Sequence, residues 1–308
     1  MAVGAAIVWG TSWVATGLVL RDFGADAVAA WRGVGSFVLV LGLLLVPIAR
    51  SERLATEDDA AAASPGRGRL LRYGVLAVLG GPWFVLGMTL AVELTGATIS
   101  AFVAGLYPVV AAVAAPLLLP ERPSPAAALG LLMAFAGILL LAGFDPVGLD
   151  MLGLLIGLTV AVFLGLFLLL VRRWSAGWGL SALRITAANF GVLSLVALPV
   201  AFHNDPAGLL PPAGLPVWLA MAWLVLGPGV LANLFVLGSV RRLPAHESSA
   251  YLMLSPLAAA LLAAWLLDER LVPVQALGAA LVLAGIGAAT IPVGRIVGRL
   301  RYGGAESR

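Results

Sequence analysis

The chain has 308 residues, of which 62% are hydrophobic and 11% charged, and its formal net charge is +3. So much apolar surface excludes a water-soluble globular protein and predicts a chain that lies in a lipid bilayer. The absence of cysteine excludes disulfides, thiolate chemistry and cysteine metal sites. The positive charges are spread along the chain rather than gathered in one basic patch, so no nucleic-acid partner is expected.

Ten apolar segments follow one another along the chain, and each is about long enough to cross a hydrocarbon core of ~30 Å. They cover residues 2–20, 28–49, 72–92, 96–119, 125–143, 150–171, 181–202, 215–238, 247–267 and 273–292. The pattern predicts an all-α integral membrane protein with ten transmembrane helices.

The charges between these spans predict their orientation. Most of the arginines fall in the even-numbered connections and after the last span, whereas the odd-numbered connections hold mostly aspartate and glutamate. Because positive charge is retained on the cytoplasmic side, both termini are expected in the cytoplasm, with the chain in the cell inner (plasma) membrane. The polar stretch from Arg50 to Arg72 is then a cytoplasmic linker.

The second half of the chain repeats the first at an offset of 148 residues. LPERPSPAAALG at Leu119–Gly130 matches LDERLVPVQALG at Leu267–Gly278, and Pro108 matches Pro256. We expect a first five-helix repeat over residues 1–145, a second over 146–294 and a cytoplasmic tail over 295–308. Since five spans per half is an odd number, the two repeats enter the membrane in opposite directions, as two inverted five-helix repeats. Inverted repeats are typical of carriers that work by alternating access.

Within the first span, Trp9, Ser12, Trp13 and Thr16 recur at intervals of three and four, so they share one helical face. Aromatic and hydroxyl side chains suit a substrate with an apolar body, whereas tryptophan near a membrane edge also serves as an interfacial anchor. We expect Trp9, Ser12 and Trp13 to bind substrate. Phe163 in the sixth span is their expected counterpart in the second repeat.

Charged residues within spans are functional candidates, because they are costly in a bilayer. Arg32 and Arg184 lie early in the second and seventh spans, where a side chain that reaches up to the interface is favoured over one that binds an anion. Glu93, at the end of the third span, is favoured as a solvated helix end over a proton carrier. Asn189 and Asn233 lie deeper, and their amides contact either substrate or a neighbouring helix.

Glycine and proline interrupt the third span at Gly80, Gly81 and Pro82, and the eighth at Gly227, Pro228 and Gly229. We expect hinges at Gly81, Pro82, Gly227 and Pro228, with static kinks as the alternative.

The fourth span carries Ser100, Val103 and Tyr107 on one face, and the ninth carries Ser248, Tyr251 and Ser255 at the repeat offset. Both stripes end against a proline, Pro108 or Pro256, which frees a backbone carbonyl and permits a bend. The two faces are predicted to be opposite walls of one cavity, with both prolines as hinges. The alternative is that the hydroxyls only join helices.

Two features of the repeat indicate architecture. Glu121 with Arg122, and Glu269 with Arg270, are expected to pin tight turns between spans. The spacing of seven between Gly130 and Gly137, and between Gly278 and Gly285, favours close helix packing.

Several segments taken in order resemble one family. They are WGTSWVA at Trp9–Ala15, AWRGVGSFVLVL at Ala30–Leu41 and the ER segments that run into glycine-rich spans at Glu121–Gly137 and Glu269–Gly285. Together they resemble the drug/metabolite transporter superfamily, specifically its EamA-like family with two repeat domains, over about residues 2–292. The resemblance implies a carrier that exports amino acids or related amphipathic metabolites. The family often has a basic residue after the first motif, where this chain has Thr16 and Gly17.

An enzyme is disfavoured because the chain has no HExxH, GxSxG or phosphate-loop motif and no lysine. A channel or a scaffold remains the alternative to a carrier. No cofactor, metal or ATP site is expected, so transport would draw on the substrate gradient or on an ion, with a proton as the candidate. A monomer and a homodimer both fit the sequence.

Overall fold

The computed structural model describes residues 1–45, 66–119, 124–141, 150–175, 181–243, 245–266 and 273–290. Its helices are α1 (Ala2–Val19), α2 (Ala25–Leu45), α3 (Gly66–Gly80), α4 (Pro82–Ala104), α5 (Tyr107–Leu118), α6 (Pro125–Leu141), α7 (Met151–Ser175), α8 (Ala182–Asn204), a 3-10 turn (Ala207–Leu209), α9 (Leu215–Leu224), a π-helical segment (Val225–Leu231), α10 (Ala232–Arg242), α11 (Ala245–Leu252), α12 (Leu254–Leu266) and α13 (Pro273–Thr290). The predicted Glu–Arg turns and the tail lie outside the described residues.

Six helical segments within the described residues are long and apolar enough to cross a membrane. The predicted fourth, fifth, ninth and tenth spans correspond to the shorter or interrupted helices α4–α5, α6, α11–α12 and α13. Gly96 divides α4 with φ +81°, a conformation that favours glycine, so α4 ends the third span and begins the fourth. Leu117 and Leu195 expose 83% and 77% of their surface, which is the surface that a lipid environment accommodates.

The last helix of each repeat packs against its counterpart, and these two helices run antiparallel. A Cβ built on Gly137 would lie 2.5 Å from the carbonyl oxygen of Gly278, and one on Gly285 would lie 2.5 Å from that of Gly130. Residue numbers that rise along α6 therefore face residue numbers that fall along α13. This crossing confirms the predicted close packing of the glycine faces and the two inverted five-helix repeats.

The second helix of each repeat, α2 or α8, forms another antiparallel pair. Gly33 approaches the backbone of Ser194, and Gly191 approaches the ring of Phe37 one turn farther along α2. At one end of this pair, Nδ2 of Asn204 donates to Oδ2 of Asp26 over 3.1 Å.

The first helix of each repeat crosses the fourth span of the other repeat. A Cβ on Gly10 in α1 would lie 2.8 Å from the carbonyl oxygen of Ser255, and one on Gly165 in α7 would lie 2.8 Å from that of Tyr107. Tyr107 and Ser255 are 148 positions apart. The two repeats thus interlock, and the same position of the fourth span, Tyr107 or Ser255, takes part in both crossings.

Two hydrogen bonds follow the same symmetry. Nε1 of Trp83 donates to Oγ1 of Thr159, and Nε1 of Trp223 donates to Oγ1 of Thr11, each over 2.8 Å. Each threonine in turn donates to a carbonyl oxygen three residues earlier in its own helix. A tryptophan–threonine hydrogen bond therefore joins span three to span six, and an equivalent bond joins span eight to span one.

Four of the described arginines, Arg72, Arg172, Arg173 and Arg241, lie near one end of the bundle. Nη1 of Arg172 donates to the carbonyl oxygen of Arg241 over 3.0 Å, Nη1 of Arg173 donates to that of Leu118, and Arg72 lies 5.5 Å from the ring centre of Trp174. Asp22 and Asp26 flank the turn at the other end of α1. The charges thus divide between the two ends, as the loop composition indicates.

Candidate functional site

A cavity of ≈30 Å³ lies where the two repeats meet. It is lined by Trp9, Ser12, Trp13, Arg32, Phe84, Met88, Ala101, Ala104, Gly105, Tyr107, Leu164, Ser255 and Pro256. These residues come from the first, second, third and fourth spans of one repeat and from the first and fourth spans of the other. Because a single water needs about 10–15 Å³, the cavity has room for about two waters. A metabolite would enter only if the walls moved apart.

Aromatic side chains form one wall. Trp9 and Trp13 are each 7% exposed, and the ring centre of Trp9 lies 5.8 Å from that of Phe84 with the planes tilted by 41°. Both indoles lie inside the bundle rather than on its outer surface. Their position leaves apolar and π surface facing the cavity.

Arg32 is the one charged residue in the cavity lining within the described part of the chain. It is 2% exposed, so the expectation of a side chain that reaches to the membrane interface is wrong. The reason is that α2 packs against α8 on one side and α4 on another, which encloses the base of the side chain within the bundle. Nη1 of Arg32 lies 3.8 Å from Sδ of Met88, a weak acceptor, and Nε has no hydrogen-bond partner.

Further polar atoms beside Arg32 are also unsatisfied. Among the described residues, Oγ of Ser12, Oγ1 of Thr16 and the hydroxyl of Tyr107 are buried and have no hydrogen-bond partner. A buried polar group without a partner costs about 1–3 kcal/mol, and more when it is charged. Such a group is normally satisfied by water or by a ligand. Ser12, Arg32 and Tyr107 line the same cavity, so their unsatisfied atoms make it the candidate binding site.

The fourth and ninth spans are interrupted where they reach the cavity. In the fourth, the N–H of Leu106 donates to the carbonyl oxygen of Val103, and in the ninth, the N–H of Met253 donates to that of Ala250. These tight three-residue turns stand two or three residues before Pro108 and Pro256, close to the positions at which the sequence predicts hinges. Gly105 and Met253, one at each break, are 148 positions apart.

The breaks separate residues that the sequence places on one face. Tyr107 and Ser255 follow the breaks and line the cavity. Ser100 precedes the break and shares a 2.9 Å hydrogen bond with Oγ1 of Thr95. Ser248 is buried, and Tyr251 is half-buried against the cluster that joins α11 to α6 and α13. The spacing of a continuous helix does not extend through a tightened turn, so only part of each stripe reaches the cavity.

The remaining predicted binding residues lie outside the cavity lining. The ring centre of Phe163 is 6.2 Å from that of Trp83. Asn189 is buried, and the orientation of its amide that satisfies both polar atoms lets the nitrogen donate to the carbonyl oxygens of Ile185 and Leu76 over 3.1 Å each. Asn233 similarly donates to the carbonyl oxygens of Pro228 and Gly229 over 3.0 Å each. Both amides thus bond backbone carbonyls on or beside an interrupted helix.

The glycine and proline interruptions also correspond between repeats. Gly81 separates α3 from α4, which begins at Pro82, and Gly227 and Pro228 lie in the π-helical segment. A Cβ on Gly81 would lie 2.3 Å from the carbonyl oxygen of Asn189 in α8, and one on Gly229 would lie 2.2 Å from Oγ of Ser36 in α2. Each interruption therefore lies in close contact with the second helix of the other repeat.

The sequence missed part of the site. Phe84 and Met88 show no distinctive spacing, and the small residues Ala101, Ala104 and Gly105 are too common in membrane helices to stand out. Arg32 carried a signal, because a charge within a span is rare. Because Arg32 lies near the start of the predicted second span, the sequence indicated a side chain at the membrane interface rather than inside the bundle.

A buried cavity between two inverted repeats, lined by aromatic and unsatisfied polar groups and flanked by broken helices, is typical of a membrane transporter. The EamA-like transporter family model matches residues 1–143 and 151–291. The chain belongs to that family, which confirms the resemblance drawn from the sequence. It is a multi-pass membrane transporter and not an enzyme.

One curated protein and one solved structure are similar to the chain. An uncharacterized transporter of Bacillus subtilis (strain 168), YyaM, is 23% identical over 299 residues, which cover 93% of this chain and 91% of that one. A solved crystal structure, described only as that of a protein, shares the fold with a TM-score of 0.75 at 20% identity, over 96% of each chain.

Proposed function

We propose that the protein is a secondary carrier that exports small organic metabolites, amino acids or related amphipathic compounds, by alternating access. The observation that carries this proposal is the cavity between the interlocked repeats, which is walled by the broken fourth and ninth spans. A site shared by two inverted units can open to one side and then to the other as one unit rocks against its counterpart.

The proposed moving parts are the interruptions that correspond between repeats. Gly81 with Pro82 and Gly227 with Pro228 are proposed hinges for the third and eighth spans, and Pro108 and Pro256 for the fourth and ninth. The cavity volume of ≈30 Å³ supports this assignment, since a site too small for a metabolite needs mobile walls. Residues outside the lining, such as Tyr251, would join the site when the second repeat takes the conformation of the first.

Saturable counterflow in proteoliposomes tests the carrier. Purified protein is reconstituted with unlabelled compounds from an amino-acid and metabolite panel inside, and uptake of the labelled compound is measured. We expect accumulation with at least one substrate, and a lower rate in both Tyr107→Ala and Tyr251→Ala. Tyr73→Phe is the control, because its hydroxyl accepts a bond from the N–H of Ser181 outside the cavity. Unchanged transport by both alanine variants would remove these residues from the site.

A channel or a scaffold is the competing function. A channel would conduct without saturation or counterflow, and a scaffold would show no substrate-dependent change in structure. Repeating the assay with and without an imposed pH gradient tests whether a proton is the coupling ion.

We propose that the protein lies in the plasma membrane with both termini in the cytoplasm. Because the chain has no cysteine, single introduced thiols report topology directly. Asp205 and Arg242 are exposed near opposite ends of the bundle. A membrane-impermeant maleimide should label Asp205→Cys in intact cells and Arg242→Cys only after permeabilisation. The reverse pattern would invert the topology.

A further inference from the structure

We propose that the cavity selects organic monoanions, and that Arg32 binds the substrate carboxylate while the hydroxyls of Ser12 and Tyr107 supply further donors. This inference rests on the proposed carrier function and narrows its substrates from amino acids to the related amphipathic compounds that carry a carboxylate and no ammonium group. It favours a carboxylate with an apolar body over the amine, the alcohol or the zwitterion built on the same skeleton.

The first support is charge. Arg32 is 2% exposed, and no carboxylate of the described residues pairs with it. Among the residues that the structure describes, no aspartate or glutamate lines the cavity. A guanidinium that is buried without a counterion leaves the empty cavity with an uncompensated positive charge. An anion removes that imbalance, whereas a cation would add to it.

The second support is hydrogen-bonding capacity. Nε of Arg32, Oγ of Ser12 and the hydroxyl of Tyr107 are buried and lack partners, and all three can donate. A carboxylate has two oxygens with about four acceptor positions and no donor of its own. It therefore matches a site that offers donors. Arginine also holds a carboxylate in a planar, two-pronged geometry that an ammonium group does not provide.

The third support is the remainder of the lining. Trp9, Trp13 and Phe84 present aromatic surface, and Leu164 and Met88 are apolar. These groups suit the hydrocarbon part of a substrate. One arginine compensates one negative charge, so a doubly charged phosphate would keep an unpaired charge in the same apolar surroundings.

Two matched series of compounds test the inference. One consists of 3-phenylpropionate, phenylalanine, 3-phenylpropanol and 3-phenylpropylamine, and the other of hexanoate, 2-aminohexanoate, hexanol and hexylamine. Binding is measured as the shift in thermal unfolding of the purified full chain, in a buffer free of phosphate and chloride, and transport as counterflow. We expect a carboxylate from at least one series to bind more tightly than its amine, alcohol and zwitterion.

Arg32→Gln removes the proposed anchor and retains a polar side chain. We expect carboxylate affinity to fall about tenfold to a hundredfold, and Arg32→Lys to retain an intermediate affinity. Arg184→Gln is the matched control, because Arg184 is a half-buried arginine near the start of α8 that does not line the cavity. Its carboxylate affinity should stay within twofold of the unmodified protein.

Stability without ligand separates an anion site from a packing role. Removing a buried charge that lacks a counterion should leave the unfolding temperature of Arg32→Gln unchanged or raise it, and Arg32→Met should behave alike. A loss of stability in both variants, with the carboxylate shift preserved, would assign Arg32 to packing and overturn the inference. Preferential binding of the amines or alcohols, or no carboxylate binding at all, would also overturn it. Carboxylate binding without any counterflow would instead support the anion site and contradict the proposed carrier.

Discussion

The crossing of α6 and α13 yields a quantitative prediction. A Cβ added at Gly285 would lie 2.4 Å from the backbone nitrogen of Ala134 and 2.5 Å from the carbonyl oxygen of Gly130. Both neighbours are backbone atoms, so no side-chain rotation relieves the overlap. Restoring ordinary contact at about 3.4 Å requires the two helices to separate by about 1 Å over the whole crossing.

The cost follows from two opposing terms. Overpacking of a close-packed contact costs about 1–3 kcal/mol, and replacing a mid-helix glycine by alanine returns about 0.5–1 kcal/mol of backbone entropy. Gly285→Ala should therefore be about 1 kcal/mol less stable than the unmodified protein, with about 2.5 kcal/mol as the upper limit of the two terms. Gly42→Ala in α2 provides the control, since a Cβ there meets nothing within 4 Å, and it should be neutral or slightly stabilising.

The assay is the unfolding equilibrium of each purified variant in one detergent, with helicity followed by circular dichroism. Gly137→Ala tests the reciprocal contact, where the new Cβ would lie 2.5 Å from the carbonyl oxygen of Gly278. Because one separation of the helices accommodates both methyl groups, the double variant should lose less stability than the sum of the single losses. Equal stability of Gly285→Ala and Gly42→Ala would refute the close crossing. If the double variant lost as much stability as the two single variants together, one common separation of α6 and α13 would be refuted.

Four further substitutions test other contacts by the same unfolding measurement. Gly81→Ala should lose about 1–3 kcal/mol, because its Cβ would meet the carbonyl oxygen of Asn189 at 2.3 Å, and if Gly81 is a hinge its counterflow rate should also fall in the variant that remains folded. The amide of Asn233 donates to two carbonyl oxygens of the π-helical segment over 3.0 Å each. Asn233→Leu removes this donor and should lose about 1–3 kcal/mol of stability. Thr11→Val and Thr159→Val should each lose about 0.6 kcal/mol, and by equal amounts, because each removes the same 2.8 Å bond from a tryptophan.

Each of these predictions has an outcome that contradicts it. An unperturbed Gly81→Ala would show that α3 and α8 are not in backbone contact. Full stability of Asn233→Leu would mean that the π-helical carbonyls find another donor. Unequal losses of stability in Thr11→Val and Thr159→Val would show that the two tryptophan–threonine hydrogen bonds are not energetically equivalent.

Much of the fold follows from local properties of the sequence. Apolar length predicts the spans, and Gly81, Pro108, Pro228 and Pro256 predict where helices are interrupted, because glycine and proline alter the backbone locally. Pro199 lies inside the continuous helix α8, so proline alone does not decide where a helix breaks. Inversion followed from an odd number of spans per repeat. The glycines seven residues apart predicted close packing, since a face without side chains admits another backbone.

The site was less accessible to sequence reasoning. The helical spacing that placed Trp9, Ser12 and Trp13 on one face holds, because α1 is continuous. The corresponding spacing from Ser100 to Tyr107 passes through a tightened turn, which changes the direction in which later side chains point. Only Tyr107 of that pair lines the cavity.

The sequence by itself determined the solvent, the number of spans, the repeat and the positions of the breaks, because each depends on residues close together in the chain. Only the tertiary structure decided which faces meet. The first span of each repeat crosses the fourth span of the other, and no local pattern specifies that exchange. This interlocking, with the packing of α2 between its neighbours, places Arg32 inside the bundle rather than at the interface. Its counterpart Arg184 stays outside the cavity, so two similar repeats enclose a site that carries charge from only one of them.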